Sequence, residues 1–147
     1  MFSKPLKLLY LSLIVVLLAT TLPACSTQSA AAGLHMMSLE EMPLDVQSAP
    51  VTVQTAYQFA AANPEILENI PCYCGCGNVG HLSNYDCYVA SVDAGGGIVF
   101  DPHALGCSIC VDITQDVMRM LQEGKTPEDS RAYVDSAYSR YGPSNIP

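Results

Sequence analysis

The chain has 147 residues, with 14 acidic and 6 basic side chains and a net charge of −8. That length fits one domain, and the acid surplus argues against nucleic acid, whose phosphates require a surplus of Lys and Arg. Half of the residues are apolar and seven are cysteine; no nucleotide-binding glycine motif, no Ser/His/Asp order and no catalytic acid–base pair stands out, which favours binding over enzymatic turnover.

Lys4 and Lys7 precede an apolar run from Leu8 to Leu22. This run is shorter than the roughly 20 residues that span a bilayer core, so it reads as the apolar region of a secretory signal. It ends in Leu22-Pro23-Ala24-Cys25. That tetrapeptide resembles the bacterial lipobox, in which the cysteine thiol is acylated and becomes the new N-terminus. The resemblance implies a protein held to the extracytoplasmic face of the cell membrane through lipid on Cys25. Lipid chains anchor by apolar transfer, and more than one chain is needed for stable attachment. Cleavage removes Lys4 and Lys7 and leaves 4 basic against 14 acidic residues, a net of −10. In that compartment disulfides are permitted.

The expected organisation is a signal segment at 1–24, a lipid anchor and flexible tether at 25–50, and a cysteine-rich domain at 51–147. The tether is rich in Ser, Ala and Gln and holds His35, Met36, Met37 and Met42. Thioether and imidazole donors suit copper, but a linker with scattered methionines is the simpler reading. Thr52 to Ala62 carries Val53, Ala56, Tyr57, Ala60 and Ala61 at helical spacing. Asn63-Pro64 interrupts it, and Pro64 with Glu65 opens a short second helix to about Asn69. Cys87 to Val92 and Ile98 to Phe100 read as two strands joined by the glycine-rich turn 93–97. That turn lacks the Lys-Ser/Thr of a phosphate loop. Val111 to Glu123 is expected as a helix with Ile113, Val117, Met120 and Leu121 on one side, and Met118 and Met120 read as core fillers. Thr126-Pro127-Glu128-Asp129 starts a last helix to about Tyr141, with Tyr133, Ala137, Tyr138 and Tyr141 as its packing stripe. The expected fold is therefore a small, mostly helical α+β domain, four helices framing a short β-hairpin and an irregular cysteine-rich loop.

The chemistry sits in two clusters. In the first, Pro71-Cys72-Tyr73-Cys74-Gly75-Cys76-Gly77, three cysteines alternate with other residues. On extended backbone they point the same way. Neighbouring Cys-X-Cys thiols are poor disulfide partners for each other but good partners for a thiophilic ion. His81 and Cys87 follow. The second cluster is His103-Ala-Leu-Gly-Cys107-Ser-Ile-Cys110, at the start of the helix at Val111. A Cys-X-X-Cys pair there either chelates a metal or, with thiol acidity raised by the helix N-terminus, works as a redox pair. Together Cys72, Cys74, Cys76, Cys87, Cys107 and Cys110 offer six thiols, and His81 and His103 two imidazoles. One tetrahedral zinc uses about four donors, so either more than one ion binds or some thiols pair as disulfides. The thiol-rich balance favours Cu(I), then Zn(II). An even number of cysteines in a small secreted domain also fits a set of structural disulfides.

The run Ile70 to Gly77, with Gly80-His81, Asp86-Cys87-Tyr88, Phe100-Asp101-Pro102-His103 and Cys107-Ser108-Ile109-Cys110, resembles the bacterial lipoproteins named for their PCYCGC motif. The resemblance spans roughly 52–142, and it implies no settled activity. Residues 120–129, with Tyr133-Val134 and Arg140-Tyr141-Gly142, are similar to the small thiol oxidoreductase of cytochrome c maturation. That likeness implies a redox pair at Cys107 and Cys110. The chain departs from that pattern by four further cysteines and two nearby histidines. The reading is thus an extracytoplasmic, lipid-anchored binder of a thiophilic metal, Cu(I) ahead of Zn(II). A thiol–disulfide redox protein and a disulfide-stapled interaction domain are the alternatives. Expected partners are membrane lipid through Cys25 and a metal-handling or cytochrome-assembly protein.

Overall fold

A computed structural model describes residues 33–146. The signal segment, Cys25 and the first part of the expected tether lie outside the described residues. No described helix is long and apolar enough to cross a membrane.

The central helix is α2, Val51–Ala62, and α1, Leu44–Gln47, precedes it. In α2 the small residues Ala56, Ala60 and Ala61 are buried with Tyr57 and Phe59. The alanines let neighbouring elements approach, while the two rings fill the space between them. The helix stops at Asn63-Pro64, because proline has no N–H to continue the ladder. Asn63 Nδ2 then donates to the Phe59 carbonyl at 2.7 Å and to the His35 carbonyl at 2.8 Å. One side chain thereby caps a helix end and pins the N-terminal segment to it.

That segment is not a tether throughout. Met37 N–H donates to Gln58 O at 3.0 Å, and Gln58 Nε2 returns a bond to Met37 O at 2.8 Å. A capping box at Ser38 and Glu41 opens a single 3-10 turn, Leu39–Glu41. Met42, on the extended backbone that ends this turn, and Val46, in α1, are both buried. Residues 34–50 therefore belong to the packed body. Met36, Met37 and Met42 pack against the core, and His35 Nδ1 lies 3.2 Å from the Ala62 carbonyl. The methionines act as apolar filler there.

Helix α3, Pro64–Leu67, is short and leads through buried Ile70 into the sulfur-rich loop. Strands β1, Val89–Val92, and β2, Ile98–Phe100, pair antiparallel with Val92 opposite Ile98 and Val89 opposite Phe100. The register shifts between Val89 and Ser91, the position of a bulge. At the tip the Asp93 carboxylate accepts from Gly95 and Gly97 N–H at 2.7 and 2.8 Å. The glycines thus serve a hairpin turn, as expected.

Helix α4, Ser108–Gln122, and α5, Pro127–Tyr138, form an antiparallel pair, with α4 also packed on α2. Ile113 and Val117 are fully buried, and Met118 and Met120 are buried with them. Each such aliphatic side chain contributes about 1.5–3 kcal/mol by burial. The reciprocal Thr126–Asp129 capping box opens α5. Its buried face is Ser130 and Val134, with Tyr138 half-buried. Tyr133 and Tyr141, expected in the packing stripe, are exposed; their rings lie beside the Arg119 and Arg140 guanidinium groups. Five helices and one hairpin among the described residues thus give the mostly helical α+β fold, one short helix beyond the four expected.

Candidate metal centre

Three stretches of chain deliver the donors. The first enters at Pro71, and the backbone turns at Gly75, whose φ of +85° is in the left-handed region. Glycine reaches that region without steric cost. A 3-10 turn, Cys76–Val79, follows directly. Cys72 and Cys74 are thus carried by irregular backbone, while Cys76 is redirected by the turn. The loop then closes on Asp86, whose carboxylate accepts from Leu82 and Ser83 N–H at 2.6 and 3.2 Å. This closure sets His81 on one side and Cys87 on the other.

The second stretch is Asp101 to His103, just after β2. Asp101 Oδ1 accepts the His103 backbone N–H at 2.7 Å, and Asp101 Oδ2 lies 3.5 Å from His81 Nε2. The two imidazoles meet edge to face, with centroids 4.9 Å apart. The third stretch is the start of α4. Cys107 is its N-cap and Cys110 lies in its first turn, so the helix begins three residues earlier than Val111. The extended backbone of Cys107, with φ −120° and ψ 97°, is the geometry of an N-cap.

All eight expected donors come together. Cys110 Sγ lies 3.2 Å from Cys107, 3.3 Å from Cys87, 3.4 Å from Cys72 and 3.5 Å from Cys74. Cys72 and Cys74 are 3.5 Å apart, Cys76 and Cys87 3.7 Å, and His103 Nε2 is 3.6 Å from Cys74 Sγ. Metal–sulfur bonds of about 2.3 Å in a tetrahedron place sulfurs about 3.8 Å apart. The observed spacings are close to that edge. All six cysteines among the described residues are free, so the disulfide framework expected as an alternative is not formed. Cys72, Cys76, Cys87 and Cys110 are buried, and Cys74, Cys107 and His103 are half-exposed.

Packing thiols this tightly splits their acidities. Hydrogen bonds from Cys110, Cys72 and Cys87 pull the Cys76 thiol far below its ordinary range. Cys72 is lowered to about 7, with the hydrogen bond to Cys110 as the main cause. Cys110 is pushed up, because its S–H serves Cys72, Cys76 and Cys87. Burial pushes Cys74 up. A thiolate is the metal-binding form. A cation that binds here therefore displaces thiol protons.

Polar residues that the sequence did not single out hold this arrangement. Asn145 reaches back from the C-terminal segment. Its Oδ1 accepts the Cys72 N–H at 2.6 Å, and its Nδ2 donates to the carbonyls of His81 and Ser83 at 3.2 and 3.1 Å. The same Nδ2 is 3.6 Å from Cys76 Sγ. Under α4, Tyr88 Oη donates to the Cys110 carbonyl at 2.8 Å, and Thr114 donates to Asn84 Oδ1 at 2.7 Å. No local motif marks Asn145, since its contacts lie more than 60 positions away. Asp101 carries a weak signal, standing two residues before His103.

The Cys/His groups are compatible with a bound metal ion. A family model described as "Protein of unknown function with PCYCGC motif" matches residues 14–146. No curated protein matches the chain, and no solved structure does.

Proposed function

The chain belongs to the family of proteins of unknown function with the PCYCGC motif, and we propose that it is a thiophilic metal binder that takes Cu(I) in preference to Zn(II). One observation carries the reading. Six unpaired thiols and two imidazoles from three separate stretches converge on one partly buried cluster. Leaving that many soft donors packed without a cation stores like-charge repulsion whenever more than one ionises. Soft thiolates select Cu(I) over harder ions. A two-cysteine redox site is less well supported, since Cys110, 3.2 Å from Cys107, also has Cys87, Cys72 and Cys74 at 3.3, 3.4 and 3.5 Å.

The mode of action is capture. An incoming ion displaces thiol protons, and the acidic exterior modestly concentrates cations at low salt. The lipobox-like Leu22 to Cys25 supports placing this capture outside the cytoplasm, on a lipid anchor at Cys25. Receipt from, or delivery to, another metal-handling protein at the membrane follows from that placement.

The test is metal content of the anaerobically purified full-length protein, measured with free thiols under denaturing conditions. Copper or zinc with most thiols free supports the reading. A metal-free protein that takes up neither Cu(I) nor Zn(II) on titration refutes it. The anchor is tested by the intact mass of the protein extracted from membranes: a chain that begins at an acylated Cys25 supports it, and an unmodified Cys25 excludes lipid at that position.

A further inference from the structure

We infer that the cluster is polynuclear: it holds at least two Cu(I) ions bridged by the Cys110 thiolate, one toward the surface and one inside. The inference rests on the metal reading and adds the number of ions, the bridging ligand and the order of filling.

Two four-membered sets of mutually close donors are present, Cys74, His103, Cys107 and Cys110, and Cys76, His81, Cys87 and His103. Neither set contains both Cys107 and His81. One tetrahedral ion takes about four donors, so a single ion leaves the other end of the cluster unfilled.

A thiolate sulfur has lone pairs for two ions, whereas a neutral imidazole offers one bare nitrogen. His103 belongs to both sets, and as a neutral ring it serves one ion. Its Nε2 is 3.6 Å from Cys74, which assigns it to the outer ion with Cys74 and Cys107. The inner ion then has Cys76, His81 and Cys87, and needs a sulfur in common with the outer one. Cys110 is the sulfur that spans the two ends, grouped with Cys74, His103 and Cys107 on one side and with Cys72 and Cys87 on the other, 3.2 Å from outer Cys107 and 3.3 Å from inner Cys87. Cys72, at 3.4 Å from Cys110 and 3.5 Å from Cys74, completes the sulfur shell.

His81 is 9 % exposed, and its Nδ1 is buried with no hydrogen-bond partner. A buried unpartnered nitrogen is costly. The Asp101 carboxylate lies 3.5 Å from the other ring nitrogen, Nε2. This is the placement in which a carboxylate orients a metal-binding histidine and leaves the opposite nitrogen for the ion. An inner ion satisfies it. Charge points the same way. One monovalent ion compensates one thiolate, and a second lets more of these buried sulfurs ionise without unpaired charge.

The outer set is half-exposed and the inner set is buried. A shallow cavity of about 290 Å³, lined by Ala104, Leu105 and Ser108 among others, opens beside Cys107. Ions therefore enter through the outer site and pass inward by exchange at Cys110.

The test is titration of the reduced, full-length protein with Cu(I) under anaerobic conditions, read by native mass spectrometry and X-ray absorption. The expected result is saturation at two or more ions per chain, with a metal–metal scattering shell. Cys107→Ser retains a good helix N-cap and should lose the outer ion while keeping the inner one. His103→Gln, at a half-exposed position, repeats the test should Cys107→Ser lose its helical circular dichroism. Saturation at one ion overturns the polynuclear site and leaves the metal reading standing. No uptake of Cu(I) overturns both. Two ions without a metal–metal shell overturn the bridge, and an unchanged ion count in both variants overturns the outer site.

Discussion

Asn145 offers the sharpest test of how the cysteine-rich loop is held. Its side chain joins the C-terminal segment to three points on the loop: Cys72 N–H at 2.6 Å, the His81 carbonyl at 3.2 Å and the Ser83 carbonyl at 3.1 Å. Each bond is worth about 1 kcal/mol net. Asn145→Ala removes all three and leaves water to re-solvate groups that are only partly buried, so the expected loss is about 2–3 kcal/mol. That is a large share of a typical domain stability of about 5–15 kcal/mol. Asn145→Asp separates the two halves of the contact. It retains an oxygen for the Cys72 N–H but sets a second oxygen against two carbonyls and the Cys76 sulfur, 3.6 Å away. The aspartate variant should therefore lose at least as much as the alanine one. The assay is urea denaturation of the reduced, metal-free protein under anaerobic conditions, followed by far-UV circular dichroism. A shift in midpoint equivalent to less than about 0.5 kcal/mol for Asn145→Ala, the range of ordinary surface substitutions, refutes the clamp. A clearly more stable aspartate than alanine variant refutes the assignment of Nδ2 to the carbonyls.

Other changes test the support of the site and the packing around it. Tyr88→Phe removes the hydroxyl that donates to the Cys110 carbonyl at 2.8 Å. It should cost about 1–2 kcal/mol in thermal unfolding while leaving metal stoichiometry unchanged, because no donor atom is lost; a changed stoichiometry shows that Tyr88 does more than support α4. At Gly142 a Cβ would come within 2.9 Å of the Tyr73 carbonyl oxygen. Gly142→Ala should thus destabilise by roughly 1–3 kcal/mol, and a variant as stable as the parent contradicts the close approach. Alkaline pH tests Tyr138. Burial first, and then its 2.8 Å hydrogen bond to Asp116 Oδ2, hold the phenol proton on above the ordinary value of 10.0. Above that pH the unfolded phenol ionises while the folded one keeps its proton, so the unfolded state binds fewer protons and stability falls as pH rises. Tyr138→Phe should flatten that decline in urea melts between pH 9 and about 11. Some slope should persist, since Tyr57 and Tyr88 are raised by burial as well; a variant with the parent's full slope removes Tyr138 from the account.

Much of the architecture was legible locally. Period-3.6 apolar spacing, Pro64 and the Thr126-Pro127 start marked four helices within a few residues of their ends, and the glycines after Asp93 marked the hairpin. These signals are local because caps, prolines and glycines act on their own turn of backbone. Errors arose where distant packing decided the outcome. Residues 34–50 read as a tether by composition, but Asn63 and Gln58 bind their backbone, and Met42 and Val46 find a core formed by later helices. Tyr133 and Tyr141 read as packing residues because they are large. Only the crossing of α5 over α4 shows that Val134 faces inward and those rings do not.

The candidate donors divide the same way. Residue type and spacing alone named Cys72, Cys74, Cys76, His81, Cys87, His103, Cys107 and Cys110, because soft metal ions restrict their donors to a short menu of side chains. Sequence left open whether the two clusters, some 20 positions apart, meet, whether their thiols pair, and what holds them. Tertiary structure decided all three. The first turn of α4 sets Cys110 amid the loop sulfurs, the thiols stay unpaired, and Asp101, Asn145 and Tyr88 fix the frame. Donor identity is a property of single side chains. Convergence depends on how α4, the hairpin and the C-terminal segment pack, and no window of sequence contains that information.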